Sequence, residues 1–463
     1  MSVSIVACSG GGDGDDDHDG NEDQAVDCGF PTPRVAGTLT TDTLANAPAR
    51  CGMPEYAWLR APDLGEIVAR HQLFDYTTIE LEQIAAAEGL SIQPVYATAV
   101  ERITYKTQDR GALIDATAMI AYPTNLADDV PVDTLLYLHG TAGMSDICAP
   151  SVSDNALALA GLFASQGYLV VLPDYIGLKA FGSPSPELHP YLVGEATAIA
   201  SLDAVRAAGQ LVATQAPAMC ARPRVVPFGA SQGGHAALWV DRIAPYYAPE
   251  LQLMGVVAAV PPADLLEQGR RALGALVPSS GNMVAYLTAA SSWYGVDNRI
   301  DEVFVSDWDV RLPQILRNNC DGGPELKSVT ALDQIFLPAF LSAAMAPDFP
   351  NVSPWGCMSS EGSLMSTSVS RITPNRDSYG ILYMLGSDDQ TVDPAIERSS
   401  FTTLCNQGMP LEFLECAGAG HSDAPSWGLE EILTFIDARF AEVPIDVNNL
   451  CQVHAASVCS GTP

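Results

Sequence analysis

Lysine is almost missing from this chain. Only Lys106, Lys179 and Lys327 occur in 463 residues, and Lys+Arg total 22 against 55 Asp+Glu, a formal net charge of −33. A surface this acidic repels phosphate backbones, which excludes nucleic acid as a partner. Salt would screen the self-repulsion, so adaptation to salt is one reading of the charge, and an acidic proteome without salt dependence is the other. Long apolar runs are also missing: none approaches the ~20 residues that cross a bilayer as a helix. There is no CxxC pair and no internal repeat, which argues against a zinc site and against a solenoid. What remains, 48% hydrophobic and 17% charged residues, describes a well-packed globular protein of one large domain with insertions, or of two domains.

The N-terminal residues read as an address. Ser4-Ile5-Val6-Ala7-Cys8-Ser9 resembles the end of a bacterial lipoprotein signal, with Cys8 as the lipidation candidate and a lipid tether to a membrane as the expectation. The glycine- and aspartate-rich stretch up to Asp27 has almost nothing to bury and reads as a self-repelling tether. Asp15, Asp17, Asp19 and Gly20 echo the start of a calcium loop, but Val26 stands where the closing glutamate belongs, so a solvated tether is favoured over a metal site. Without Cys8, ten of the eleven cysteines remain. An even set fits up to five disulfides in an exported protein. Connectivity is not readable, and the neighbour pairs Cys405–Cys416 and Cys451–Cys459 are the simplest guess.

Short apolar runs alternate with helical periodicity. Strands are expected at 98–107, 112–122, 134–138, 168–172, 225–228, 254–260, 379–385 and 411–416, with helices at 79–88, 153–166, 191–214 and 235–243. This rhythm implies an α/β fold with a mostly parallel central sheet flanked by helices. It divides the chain into a signal remnant and tether (1–27), an N-terminal extension (28–95), a core in two parts (96–265 and 379–445) and a cysteine-containing tail (446–463). Between the core parts, 266–378 lacks the strand rhythm and carries Trp293, Trp308 and Trp355. It is expected to be a mainly helical cap between the sixth and seventh strands, lying above the strand ends.

One motif carries the chemistry. Gly229-Ala230-Ser231-Gln232-Gly233-Gly234 follows the apolar run Val225-Val226-Pro227-Phe228 and precedes a helix, the order of an α/β-hydrolase nucleophile elbow. Gly229 and Gly233 leave room for strand and helix to approach closely on so tight a turn. A serine needs a base, and the base needs an orienting acid, in the order Ser, Asp/Glu, His along the chain. His421, in a glycine-rich loop after the last strand, fits the base; His454 reads as a surface residue of the tail. Among Asp388, Asp389 and Asp393, the last precedes Pro394 and reads as a helix N-cap. Gly386-x-x-Asp389-x-x-Val392 places the acid at Asp389, with Asp388 as fallback. Two backbone donors are needed for the oxyanion: Gln232 N–H at the helix start and Thr141 N–H after His139-Gly140. His139 is expected to shape that loop rather than titrate. No metal and no organic cofactor is called for.

Taken with the His139-Gly140 loop, Pro173-Asp174-Tyr175-Ile176-Gly177, His189-Pro190-Tyr191-Leu192, the segment 202–208 and the Asp389/His421 pair, the elbow makes the chain resemble the secretory lipase family, the α/β-hydrolases related to fungal lipase A. The likeness spans about residues 98–440. It implies a carboxylester hydrolase with an inserted cap, acting on acyl esters or triacylglycerols, and Ser231, Asp389 and His421 as its triad. Asp174-Tyr175 reads equally well as a strand-end turn that supports the fold. A serine peptidase of the same fold and an inactive surface binding lipoprotein are the alternative readings. Acyl chain length and oligomeric state stay open.

Overall fold

A computed structural model describes residues 28–33, 50–54, 56–127, 130–214 and 219–463. Cys8, the acidic tether and the calcium-loop echo at 15–20 lie outside the described residues.

The strands are β1 (Ile67–Tyr76), β2 (Thr98–Asp109), β3 (Ala112–Pro123), β4 (Val132–Leu138), β5 (Leu169–Pro173), β6 (Ala221–Ala230), β7 (Gln252–Leu253), β8 (Val256–Ala259), β9 (Ile381–Gly386) and β10 (Leu411–Cys416). They form one sheet in the order β1-β2-β3-β5-β4-β6-β8-β9-β10, with β7 attached to β6. β1, β2 and β3 pair antiparallel, and so does β3 with β5. From β5 onward every pairing is parallel. Central β5 and β9 are buried along their whole length. Helices cover both of their faces, so an unbroken apolar run replaces the alternation of a half-solvated strand. The sheet gains two strands that apolar runs did not mark. β1 is a largely exposed edge strand carrying Arg70, His71, Gln72 and Asp75, and β7 is only two residues long. The sixth and seventh of the eight expected strands are therefore β8 and β9.

Helices Gly194–Ala213 and Gln232–Tyr247 pack on one face, where Ile199, Leu202, Val205, Trp239 and Val240 join the main core. Helices Asp154–Ala164 and Leu429–Phe440 cover the other, through Leu157, Phe163, Ile432 and Ile436. The 202–208 segment contributes a buried ionic cluster. Arg206 donates to Asp203 and Glu250 at 2.7 Å each, while Thr107 and Tyr247 hydroxyls donate to Asp203. Charges this deep persist only when paired and hydrogen-bonded. Helix Thr78–Glu88 begins at a reciprocal cap, Thr77 with Glu80, and ends at Gly89 with φ 66°, so its limits are written in local chemistry.

The expected cap is helical and holds its own apolar cluster. Helices Leu265–Gly274, Ser280–Trp293, Trp308–Asn318, Pro338–Ala344 and Trp355–Gly362 lie between β8 and β9. Phe304, Phe336, Phe340 and Trp355 pack ring to ring within it. Cys51–Cys357 and Cys148–Cys320 fasten this cap to segments outside it, and Cys28–Cys220 closes the start of β6. The guessed neighbour pairs near the C-terminus are wrong: the bonds are Cys405–Cys451 and Cys416–Cys459. The tail doubles back along β10, where Ser457 N–H donates to Glu415 O and Ala417 N–H to Ser457 O. That return brings Cys459 to Cys416 rather than to Cys451.

Candidate active site

Ser231 sits between β6 and the helix Gln232–Tyr247 with φ 58° and ψ −120°. A non-glycine residue held there costs roughly 1–3 kcal/mol, which the surroundings must offset. Ser231 N–H donates to Ala259 O at 2.9 Å, and its carbonyl accepts from His235 N–H at 3.0 Å. The flanking glycines are obligatory for packing. A Cβ on Gly229 would lie 2.3 Å from Gly233 O, and one on Gly233 would lie 1.9 Å from Leu138 O. Gly140 passes directly alongside, its Cβ position 3.9 Å from Ser231 Cβ.

The parallel order β6-β8-β9-β10 puts the C-terminal ends of these strands on one edge of the sheet. Ser231 leaves β6 there, Asp389 follows β9, and His421 follows β10. His421 Nδ1 lies 2.6 Å from Asp389 Oδ2. The other oxygen, Oδ1, accepts from Thr391 N–H at 2.8 Å and Val392 N–H at 2.9 Å. This buried carboxylate is thus held at both ends. Asp388 is exposed and accepts from the Ser387 hydroxyl. Asp393 caps the helix Pro394–Asn406, accepting from Ala395 and Ile396 N–H. The histidine loop is tied to the acid loop by Asp388 N–H to Ala419 O and Gly418 N–H to Ser387 Oγ. His421 is bonded to Asp389 and not to Ser231; His454 lies exposed in the tail.

The loop that carries Thr141 is backed by stacked rings. His139 stacks on Tyr175 at 4.0 Å, and Tyr175 on His189 at 5.7 Å. Burial pushes the His139 imidazole down to about 4 and that of His189 to about 3, so both stay neutral. His139 Nδ1–H donates to Gly140 O at 2.6 Å, which shapes the loop. His189 Nδ1–H donates to Ile176 O, leaving Nε2 to accept from Gln232 Nε2–H at 2.6 Å. Asp174 is fully buried and accepts from Ser151 N–H, Ser151 Oγ and Thr117 Oγ1. Burial raises its carboxyl to about 7 despite those donors. These bonds knit the loops under the site, the supporting role expected for a strand-end turn. Among the described residues, the Thr141 and Gln232 backbone N–H groups have no protein acceptor.

One connection carries no signature in the sequence. Asn282 Nδ2, on a cap helix, donates to Tyr191 OH at 2.9 Å, and Tyr191 OH lies 2.8 Å from Thr141 Oγ1. The cap therefore reaches the Thr141 loop through two hydrogen bonds. The His189-Pro190-Tyr191 run marked the place, but nothing in it named Asn282. Ser231 opens into a pocket walled by Tyr191, Leu192, Leu265, Met283 and Tyr286, with Thr391 and Val392 from the acid loop.

Comparison with known proteins agrees with this architecture. Residues 145–294 match the secretory lipase family, which bears out the resemblance read from the motifs. A secreted triacylglycerol lipase of Malassezia globosa is 31% identical over 216 residues, 44% of this chain and 43% of that protein. A probable inactive lipase of Mycobacterium tuberculosis is 28% identical over 202 residues, 41% of this chain and 42% of that protein. The chain thus spans less than half the length of these curated relatives. The rice cell wall degrading esterase of Xanthomonas oryzae superposes with a TM-score of 0.65 at 21% identity, covering 81% of this chain and 97% of that one. The fold is that of the α/β-hydrolases.

Proposed function

We propose that the chain is an exported carboxylic ester hydrolase that works through an acyl-enzyme on Ser231. The observation that carries this reading is the Asp389–His421 pair, 2.6 Å apart, at the same sheet edge as a serine on a strained, glycine-flanked turn. Asp389 holds His421 Nδ1–H, so the other ring nitrogen is the base. It takes the Ser231 proton as Oγ attacks the ester carbonyl. The oxyanion receives Gln232 and Thr141 N–H, the latter steadied by the loop's bonds to His139 and Tyr191. The C–O bond then breaks, and His421 returns the proton to the departing alcohol. Water repeats the cycle in reverse order and releases the acid. Ester or lipid is the substrate class, Cys8 the lipid attachment point, and five disulfides fit an oxidising address.

Fluorophosphonate labelling tests the proposal. The wild-type chain should take up one label on Ser231 and cleave p-nitrophenyl esters in preference to aminoacyl anilides; Ser231→Ala should lose both label and turnover. A wild-type chain that neither labels nor turns over esters would instead be a binding protein, the reading that similarity to an inactive lipase keeps in view.

A further inference from the structure

The wall beside Ser231 limits what can be attached to it. The pocket beside Ser231, half open to solvent, holds about 50 Å³, a third of the roughly 150 Å³ cavity that takes a benzene ring. A tail of one to three carbons fills it; a longer chain would have to leave it for solvent. Leu265 and Ala272 on the first cap helix and Met283 and Tyr286 on the second form the far side. The Met283 methyl fills the cleft between these helices, since a Cβ on Gly269 would come within 2.7 Å of its Cε.

A small pocket decides specificity only where its walls stay put, and here both helices are pinned. On the first helix, Gln268 exchanges hydrogen bonds with Asp393 and donates to Glu397. Arg271 donates to the Gln390 and Thr391 carbonyls. On the second, Asn282 holds Tyr191 at one end. At the other, Trp293 Nε1 donates to Asp109 at 2.8 Å and Arg110 donates to Trp293 O at 2.9 Å. The two cap disulfides fasten the rest. The pocket belongs to the acyl half of the ester, because Ser231 lines it and His421, which faces the leaving alcohol, does not. A larger cavity of about 590 Å³ reaches Phe228 and Ala230 but not Ser231, so it offers an acyl chain on that serine no alternative room.

We infer that this site is selective for short acyl groups, acetyl to butyryl, and that Met283 closes its acyl pocket. This rests on the ester-hydrolase reading above. The test is kcat/KM of the full chain on p-nitrophenyl acetate, butyrate, octanoate and palmitate, with Ser231 labelling measured alongside. A methylene that a pocket rejects weighs about 10–200-fold, so octanoate should fall about 100-fold or more below butyrate. Met283→Ala should raise the octanoate-to-acetate ratio about tenfold or more; Met283→Val reads the same wall if the alanine variant fails to label or to melt cooperatively. Octanoate or palmitate turned over as well as acetate by the wild type would overturn the selectivity. An unchanged ratio in a normally labelled Met283 variant would overturn its assignment to Met283. A wild type that does not label at Ser231 overturns the hydrolase reading itself, and the inference with it.

Discussion

At the scale of single residues, the site depends on how one carboxylate differs from its neighbours. Asp388, Asp389 and Asp393 lie within six positions, yet one is solvated, one caps a helix, and one is buried against His421. Asp389→Asn keeps an acceptor for the Thr391 and Val392 amides while presenting the wrong partner to the imidazole. Its kcat should fall by roughly 10⁴-fold, the scale seen when a triad histidine is held in the wrong tautomer, with Tm near wild type. Full activity in that variant, alongside a loss in Asp388→Asn, would transfer the role. These aspartates were distinguishable in the sequence because local rules apply to them: a proline after Asp393, and a fixed spacing from Gly386 to Val392. The Asn282–Tyr191–Thr141 link was not, because it joins side chains 91 and 50 positions apart. No periodicity records a contact that only the packed cap creates.

At the scale of elements, most of the strands that apolar runs marked are buried along most of their length. β1 escaped because an edge strand does not need an apolar pattern, and the terminal disulfides were mispaired because a tail's return path is tertiary information. The join between sheet and cap was equally hidden. It runs through Glu397, fully buried on the helix Pro394–Asn406. Glu397 accepts from Tyr383 OH on β9 at 2.6 Å, from Gln268 Nε2 on the first cap helix at 2.9 Å, and from Ala263 N–H between them at 3.3 Å. Burial raises its carboxyl from 4.5 to about 7, with those donors opposing the shift. A carboxyl with a raised folded pKa binds its proton more tightly in the native state. The stability this brings is complete below pH 4.5 and is lost as pH climbs through about 7. The full swing is roughly 3 kcal/mol, at 1.36 kcal/mol per pKa unit. Unfolding free energies at the two ends of this window should show the fall in wild type and a shallower one in Glu397→Gln. Part of the slope should survive in the variant, because buried Asp174 is raised the same way. Parallel pH profiles for the two proteins would remove Glu397 as its source.

At the scale of the whole molecule, the composition leaves 33 more carboxylates than cations (55 against 22). Several low-exposure cations are already committed to carboxylates: Arg206 to Asp203 and Glu250, and Arg371 to Asp241, all with side chains nearly inaccessible to water. Salt barely reaches such pairs. Exposed pairs such as Lys327–Asp321 contribute little in water and lose little when screened. The uncompensated carboxylates are different. Folding crowds them onto one surface, and their repulsion weakens as the Debye length shrinks from about 10 Å at 0.1 M to about 3 Å at 1 M salt. Screening therefore removes more repulsion than attraction, and the net sign favours the folded state. Tm should climb steadily with sodium chloride, by roughly 5 °C into the molar range if the relief amounts to one or two kcal/mol. Sucrose at matched osmolality separates this charge effect from general exclusion of cosolute, because it leaves the Debye length unchanged. A chloride response no larger than the sucrose response would make the acidity a matter of composition, with no bearing on the conditions in which this fold is most stable.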